Sequence, residues 1–566
     1  MRKSPRVAGP GRMRRSFGLS SRRKLVRFGW ALCLVFGSVA GCGFFRDKVG
    51  VVNYFIDAKL PTYNANTVLG RSNGTLMAFS RVLPGFSYPA PTGGSVADSD
   101  IGAAEPQTGQ GEEFTVRYTF NPKATWSDGV AMTCEDLVLA WAALSGRLPG
   151  AQPASKLGYE LISQMQCEKG SKTATAVFER HFPDWPSLFG PGTILPSHVL
   201  AKAVGVDVAG AMGSDDRAKL QAAGKFWNEG WSFGAKFDQA RFPSSGPYQI
   251  QSTGSGPTTL VRNPRWWGDP ARIPKVAIWP KGFRPPVAGA QVIDIGKGSL
   301  GELRLPSGMS ERTVRSLGIE QFVLLLRGAF AQKRAREAFA LCLPRAELAA
   351  RFGDNEPLAS GALSSSQDPW QLSASQPARY AQPNAAAAYQ ARDSAAKGQP
   401  LTVRVGYLAP DARRAALVKA VADACDPAGI RVEDKSNEFD PLAPAKGQFD
   451  VLLTSSDLAT GAGGAAGPSW GLASAAQVRE GEGENLSGYQ SARTDDLVAQ
   501  LALAEKEDDR IGLLARAQDA VWDDLPMIPL FAAPRSVVWS ETLSGVQPGA
   551  TACATGWNMD RWSGDG

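Results

Sequence analysis

The chain has 566 residues, more than one hydrophobic core usually supports, so at least two lobes are expected. Its formal charge of +7 misleads: ten Lys and Arg lie before Phe28, and the rest of the chain has 51 basic against 54 acidic side chains. A balance of −3 gives no reason to expect a nucleic-acid partner, and with only His181, His198 and no Cys-x-x-Cys spacing no metal site is expected.

In chain order, the first element is a leader. Residues 28–41 form a short apolar run, about half the length that crosses a bilayer, which ends in Val39-Ala40-Gly41-Cys42, a lipobox. Cleavage before Cys42 and a lipid on its thiol are expected. They would tether residues 42–566 as a soluble, extracytoplasmic module on the outer face of the cytoplasmic membrane. Ser21-Arg22-Arg23-Lys24-Leu25-Val26 fits a twin-arginine export signal and an ordinary basic leader equally well, and either Met1 or Met13 could start the chain. Once Cys33 leaves with the leader and Cys42 is lipidated, five cysteines remain in an oxidising setting. Cys134 and Cys167 are spaced to bracket a helix and the next strand, while Cys342 and Cys425 lie in apolar helical stretches. These two pairs are predicted as disulfides, leaving Cys553 free.

Gly70-Arg71-Ser72-Asn73-Gly74 fits the G-x-S-x-G of an esterase nucleophile elbow. That elbow needs an apolar strand before its serine. Here a polar stretch, 63–67, precedes it and a helix-like stretch, 76–79, follows, so the chain is not expected to be an enzyme. Phe114, Val116, Tyr118 and Phe120 alternate as in a half-buried strand, and Thr133 with Asp136 three residues on opens a helix whose Leu137, Val138 and Trp141 face the core. The stretch 354–400, rich in Ala, Ser, Gln and Pro, is predicted as a loosely structured surface excursion. A strand at 401–407, a helix at 411–425, and strands at 430–432 and 449–453 then make a βαβ-rich second lobe. The glycine run 461–467 lacks dinucleotide-loop spacing and reads as a lid or loop.

Several segments together resemble one family, the extracytoplasmic solute-binding proteins (family 5) of peptide, dipeptide and nickel ABC importers. Trp126-Ser127-Asp128-Gly129 with Thr133, Glu135, Asp136, Leu137 and Val138 is similar to the family's W-S-D-G-x-x-x-T-x-E-D block. Ser245-Gly246-Pro247-Tyr248, then Asn263, Trp266 and Trp267, resembles its G-P-Y and N-x-x-W/Y-W segment. Arg334, Arg336, Ala338 and Phe339, then Gly488, Tyr489, Asp495, Leu497 and the stretch 528–531, follow in the family's order. Most of these markers are expected to be scaffold, with Trp266 and Trp267 filling a core and Asn485, Tyr489 and Asp495 capping a helix near Asp496.

The resemblance implies an α/β, bilobal, periplasmic-binding-protein-like fold of the large peptide-binding class, with a ligand cleft between lobes that close on a hinge. The expected division is a leader at 1–41, lobe one at 42–281, lobe two at 282–528 and a return segment at 529–566. It further implies capture of oligopeptides or similar solutes and delivery to a separate permease and its ATPase, by a monomer needing no cofactor or metal. Tyr54, Asn64, Asn66, Asp457, Trp470 and Tyr489 are the expected cleft residues, with Asp457 as the acidic anchor for an ammonium group. The family's Trp and Asp-Pro pair after the strand at 449–453 is replaced here by Thr454-Ser455-Ser456-Asp457 and glycines. That departure suits an alternative, a lipoprotein of the same fold acting as an adaptor in cell-envelope glycolipid assembly, as related actinobacterial proteins are implicated in doing.

Overall fold

The computed structural model describes residues 49–91, 94–108, 114–212, 216–282, 289–302, 304–354, 359, 361–363, 375–436, 448–456 and 468–564. Alternation places Phe114, Val116, Tyr118 and Phe120 on the buried face of the strand Phe114–Phe120. The following helix, Cys134–Leu144, starts where the Asp136 carboxylate turns back to accept the Thr133 backbone N–H at 3.2 Å.

Ten of the described strands form one sheet, which explains how two lobes share a framework. From edge to edge it runs Ile430–Asp434, Leu401–Gly406, Val451–Ser455, Met309–Leu324, Met527–Ser540, Val292–Gly296, Val52–Ile56, Lys275–Trp279, Thr258–Arg262 and Tyr248–Ser252. The long antiparallel pair Met309–Leu324 and Met527–Ser540 is its spine, with a register shift between Arg315 and Ile319. On one half of the spine Val292–Gly296 pairs up to Gly296–Arg535 and is parallel to Val52–Ile56. On the other half Val451–Ser455 pairs so that Ser455 meets Glu320, and Leu401–Gly406 lies parallel to it. The carboxyl ends of the two parallel groups therefore point at each other across the middle of the spine.

One buried core gathers side chains from Val52 to Val292 with the helices Ala492–Leu503 and Glu507–Asp524 and the stretch 543–562. A second lies around Leu401–Gly406 and the helices Lys333–Cys342 and Ala412–Cys425. Glu507–Asp524 joins both, with Val521 in the first core and Trp522 in the second. Cys134 is bonded to Cys167, and Cys342 to Cys425. Cys553 is buried outside any disulfide, and burial pushes its thiol up to about 12. A maleimide should leave Cys553 unlabelled in the folded chain and label it fully in denaturant; rapid labelling of the native protein would contradict its packing.

The expected surface excursion at 354–400 needs correcting over its second half. Ala385–Ala396 is a helix, started by Asn384 accepting from the Ala387 N–H at 3.0 Å, and its Ala388 and Ala391 enter the second core. An alanine run has the highest helix propensity, which outweighs the polar composition around it. Tyr380 stacks on Trp522 with ring centroids 5.7 Å apart. Beneath them Arg345 is fully buried, its guanidinium donating to the carbonyls of Pro529, Ala359 and Pro377. Burial pushes that guanidinium down to about 9, and the Trp522 ring face at 4.8 Å compensates in part. Residues 355–358, 360 and 364–374 lie outside the described residues.

Candidate functional site

Where the carboxyl ends of the two strand groups face each other, the structure has a crevice of about 890 Å³. Phe55, Ile56, Asp57 and Trp279 line it from one lobe and Tyr407, Pro410, Asp411 and Ala415 from the other. Open α/β sheets bind ligands at this end because loops there can vary while the strands hold them rigid. A smaller annexe of about 70 Å³ adjoins the crevice, shares Asp57, Lys281 and Asp411 with it, and reaches Glu320, Arg413, Ser455 and Arg535 on the spine side.

Charges run through this region in a chain. Lys281 Nζ donates to Asp57 Oδ1 at 2.9 Å and lies 3.5 Å from Asp411 Oδ2, which places one cation between carboxylates of the two lobes. Asp411 also caps the helix Ala412–Cys425, accepting the Arg414 backbone N–H at 2.9 Å. Arg414 Nε donates to Glu320 Oε1 at 2.7 Å and Arg413 Nη2 to Glu320 Oε2 at 2.9 Å. Farther along the spine Arg535 Nε donates to Asp294 Oδ1 at 3.0 Å, and the Thr555 N–H donates to Asp294 Oδ2 at 2.9 Å. Four carboxylates thus meet four cations.

Burial alone would lift the Glu320 carboxyl, but Arg413 and Arg414 outweigh it and hold the carboxyl below the ordinary range. Burial likewise works against the Asp411 carboxylate and is overcome by Arg414, Lys281 and Arg413. A carboxyl depressed in the folded state adds stability above its unfolded pKa, and that stability is lost as pH falls through the folded value. Wild-type unfolding free energy should therefore drop steeply below about pH 4, and Glu320→Gln should flatten the slope. An unchanged slope in acid denaturation would contradict this assignment.

Four of the six expected cleft residues are held inside the lobes as braces. Tyr54 is fully buried in the first core, edge-on to Trp562 at 5.3 Å. Asn64 donates to the Trp227 carbonyl at 2.8 Å and accepts from the Asn66 N–H, while Asn66 donates to the Gly192 carbonyl at 2.7 Å, so both brace loops of the first lobe. The Tyr489 hydroxyl donates to Asp524 at 2.8 Å inside the helical layer. Trp470 belongs to the helix Pro468–Ala475, but its side chain, like all of Asp457 and Cys42, lies outside the described residues, as does the glycine run 461–467. The charges of the annexe carried a legible signal: single Asp or Glu residues inside apolar strands, as in Val292–Gly296 and at Glu320, need a buried cation.

The shared motifs prove to be braces. Trp126 Nε1 donates to Asp136 at 3.1 Å, and Ser197 donates to the same carboxylate from its backbone N–H at 2.9 Å. Gly246 is required because a Cβ there would stand 2.3 Å from the Arg81 carbonyl oxygen. Arg336 Nε donates to the Asp524 carbonyl at 2.6 Å. Residues 103–462 match the family model of the bacterial extracellular solute-binding proteins, family 5 (middle region). The chain belongs to this family. An uncharacterized lipoprotein of Mycobacterium tuberculosis is 38% identical to it over 90% of this chain and 93% of its own length. An uncharacterized lipoprotein of Mycobacterium leprae is 36% identical over 91% and 94%. The oligopeptide-binding protein OppA of Mycobacterium tuberculosis is 25% identical over 87% of this chain and 81% of its own.

Among solved family-5-like folds, the Escherichia coli murein tripeptide binding protein MppA superposes with a TM-score of 0.70 at 15% identity, covering 91% of this chain and 98% of its own. The Thermus thermophilus oligopeptide binding protein complexed with a pentapeptide gives 0.68 at 15% identity, covering 91% and 96%. These establish the bilobal fold. None of the described helices is long and apolar enough to cross a membrane. The G-x-S-x-G match lacks an elbow, since Ser72 ends the five-residue helix Val68–Ser72. His181 and His198 face Glu505 and Asp128 at 3.0 and 2.8 Å.

Proposed function

We propose that this family-5 protein is a lipid-anchored extracytoplasmic receptor that captures oligopeptides or similar small solutes in the crevice between its lobes and delivers them to an ABC permease, with the permease and its ATPase as separate chains. The observation that carries the reading is the head-to-head meeting of two parallel strand groups over a crevice of about 890 Å³, a size suited to a small ligand. The lipobox at Cys42 and the lipoprotein names of the relatives support the anchor, and the OppA relative supports the peptide class. Function is capture and hand-over. Binding draws on apolar contact with Phe55, Trp279 and Tyr407 and on the charges beside them, offset by the cost of ordering the ligand.

Asp457 follows Ser455, which lines the annexe, by two residues, and remains the proposed anchor for a ligand ammonium group. Calorimetric titration of the purified chain with a defined pool of tri- to pentapeptides should show saturable binding, weakened about tenfold or more by Asp457→Ala. Absence of any binding heat with the pool would overturn the peptide reading and favour the envelope-assembly adaptor.

A further inference from the structure

A second cavity, of about 440 Å³, shares no lining residue with the crevice or its annexe. It is formed by the stretch 81–100, Arg272 and the stretch 545–561, and none of the shared family motifs falls in it. Its volume lies in the range of small-ligand pockets. The base is held rigid by ion pairs. Buried Arg81 donates through Nη1 to Asp98 Oδ2 at 3.1 Å and through Nη2 to Asp560 Oδ2 at 3.3 Å. Arg561 lies 3.2 Å from Asp560 and 3.8 Å from Asp100. Trp557 and Tyr88 make one wall, their rings 5.9 Å apart and only 15° from parallel. The indole is fixed by Nε1 donating to the Gln547 carbonyl at 2.9 Å. Arg272 completes the lining. Its backbone N–H donates to the Asp560 carbonyl at 3.0 Å, while its exposed guanidinium makes no hydrogen bond or ion pair with a described residue.

The charges of this cavity cancel, with Asp98, Asp100 and Asp560 against Arg81, Arg272 and Arg561. An anion would meet the carboxylates of Asp98 and Asp100, and a cation the guanidiniums of Arg272 and Arg561, so the lining selects against both. Burial and the neighbouring Asp98 push the Asp100 carboxyl above its usual range, so a hydroxyl donor is favoured at that corner. The complementary molecule is neutral. It carries hydroxyls that can donate to a carboxylate and accept from a guanidinium, and an apolar C–H face to lie against the rings. We propose that this cavity binds a neutral saccharide, with one hexose ring against Trp557 and its hydroxyls on Asp98, Asp100 and Arg272. The site is separate from the crevice and stands whether or not the receptor reading does.

The test is saturation-transfer-difference NMR on the full chain with D-glucose, D-mannose, D-galactose, their methyl glycosides, maltose and lactose. At least one of these should bind saturably below about 10 mM. Trp557→Ala should weaken that binding about tenfold or more, and Arg272→Ala about threefold or more. Ala415→Trp, which alters only the crevice, should leave it unchanged. Methyl glycosides binding as well as the free hexoses would mark the ligand as the end of a glycan, and their rejection would mark it as a free sugar; both support the site. No saturable binding by any of the panel overturns the proposal. So does binding that survives Trp557→Ala and Arg272→Ala in proteins melting with wild type, or that is lost in Ala415→Trp. If Trp557→Ala fails to fold, Arg272→Ala decides alone, because its exposed side chain supports no core.

Discussion

Replacing Lys281 with methionine is expected to cost the folded chain about 3–5 kcal/mol, because it leaves carboxylates of both lobes facing each other without the cation between them. The Lys281 side chain is 2% exposed, with Asp57 on one side and Asp411 on the other. Asp411 retains Arg414 at 3.9 Å, so the larger part of the loss falls on Asp57, whose other oxygen accepts the Gly296 N–H at 2.9 Å. Breaking one partner of a buried pair is costly, whereas removing all the charges together can be close to neutral. The triple variant Lys281→Met, Asp57→Asn, Asp411→Asn should therefore recover most of the stability lost by Lys281→Met. Urea denaturation measures both. A loss below about 1 kcal/mol in the single variant, the size of an exposed pair, would contradict the assignment of Lys281 as the buried link between lobes.

The second large effect concerns the disulfides. Cys342 ends the helix Lys333–Cys342 and Cys425 ends the helix Ala412–Cys425, and the bond closes a separation of 83 residues in the second lobe. The chain-entropy relation gives about 4.5 kcal/mol for such a loop and about 3.7 kcal/mol for the separation of 33 between Cys134 and Cys167. The double variant Cys342→Ser, Cys425→Ser should accordingly be the more destabilised of the two double serine variants, by about 4–5 kcal/mol against wild type. Both bridges tie a helix end to an element of the same lobe, so neither variant should abolish ligand binding below its unfolding temperature. A greater loss from the first-lobe bridge would contradict the loop-length argument.

Period and capping were legible wherever one physical signal dominated. The alternation over Phe114–Phe120 and the Thr133–Asp136 helix start specify their elements locally. In 354–400 two signals competed, and the alanine run of Ala385–Ala396 prevailed over its polar surroundings because its small side chains also fit against Lys333–Cys342. The site was harder to read. Tyr54 in a strand, and Asn64, Asn66 and Tyr489 in loops that lead into helices, are polar or aromatic residues of a kind shared by ligand contacts and by interior braces, and the structure puts them to the second use. Asp57, Lys281, Glu320, and the pair Asp411 and Arg413 come from four separate stretches of the chain, and only the crossing of the spine brings them together. No local pattern in one sequence encodes that juxtaposition.

Under the proposed function, solute is held in the crevice between the lobes. Ala415 is exposed on the helix Ala412–Cys425 and lines the crevice, so Ala415→Trp should obstruct it without disturbing either core. The most direct measurement is native mass spectrometry of the protein purified from its own host without refolding, wild type beside Ala415→Trp. Wild type is expected to carry a set of small solute masses that the variant, melting at the same temperature, does not carry. A wild-type protein that is empty, or a variant that carries the same masses at the same occupancy, would contradict capture of solute in the crevice.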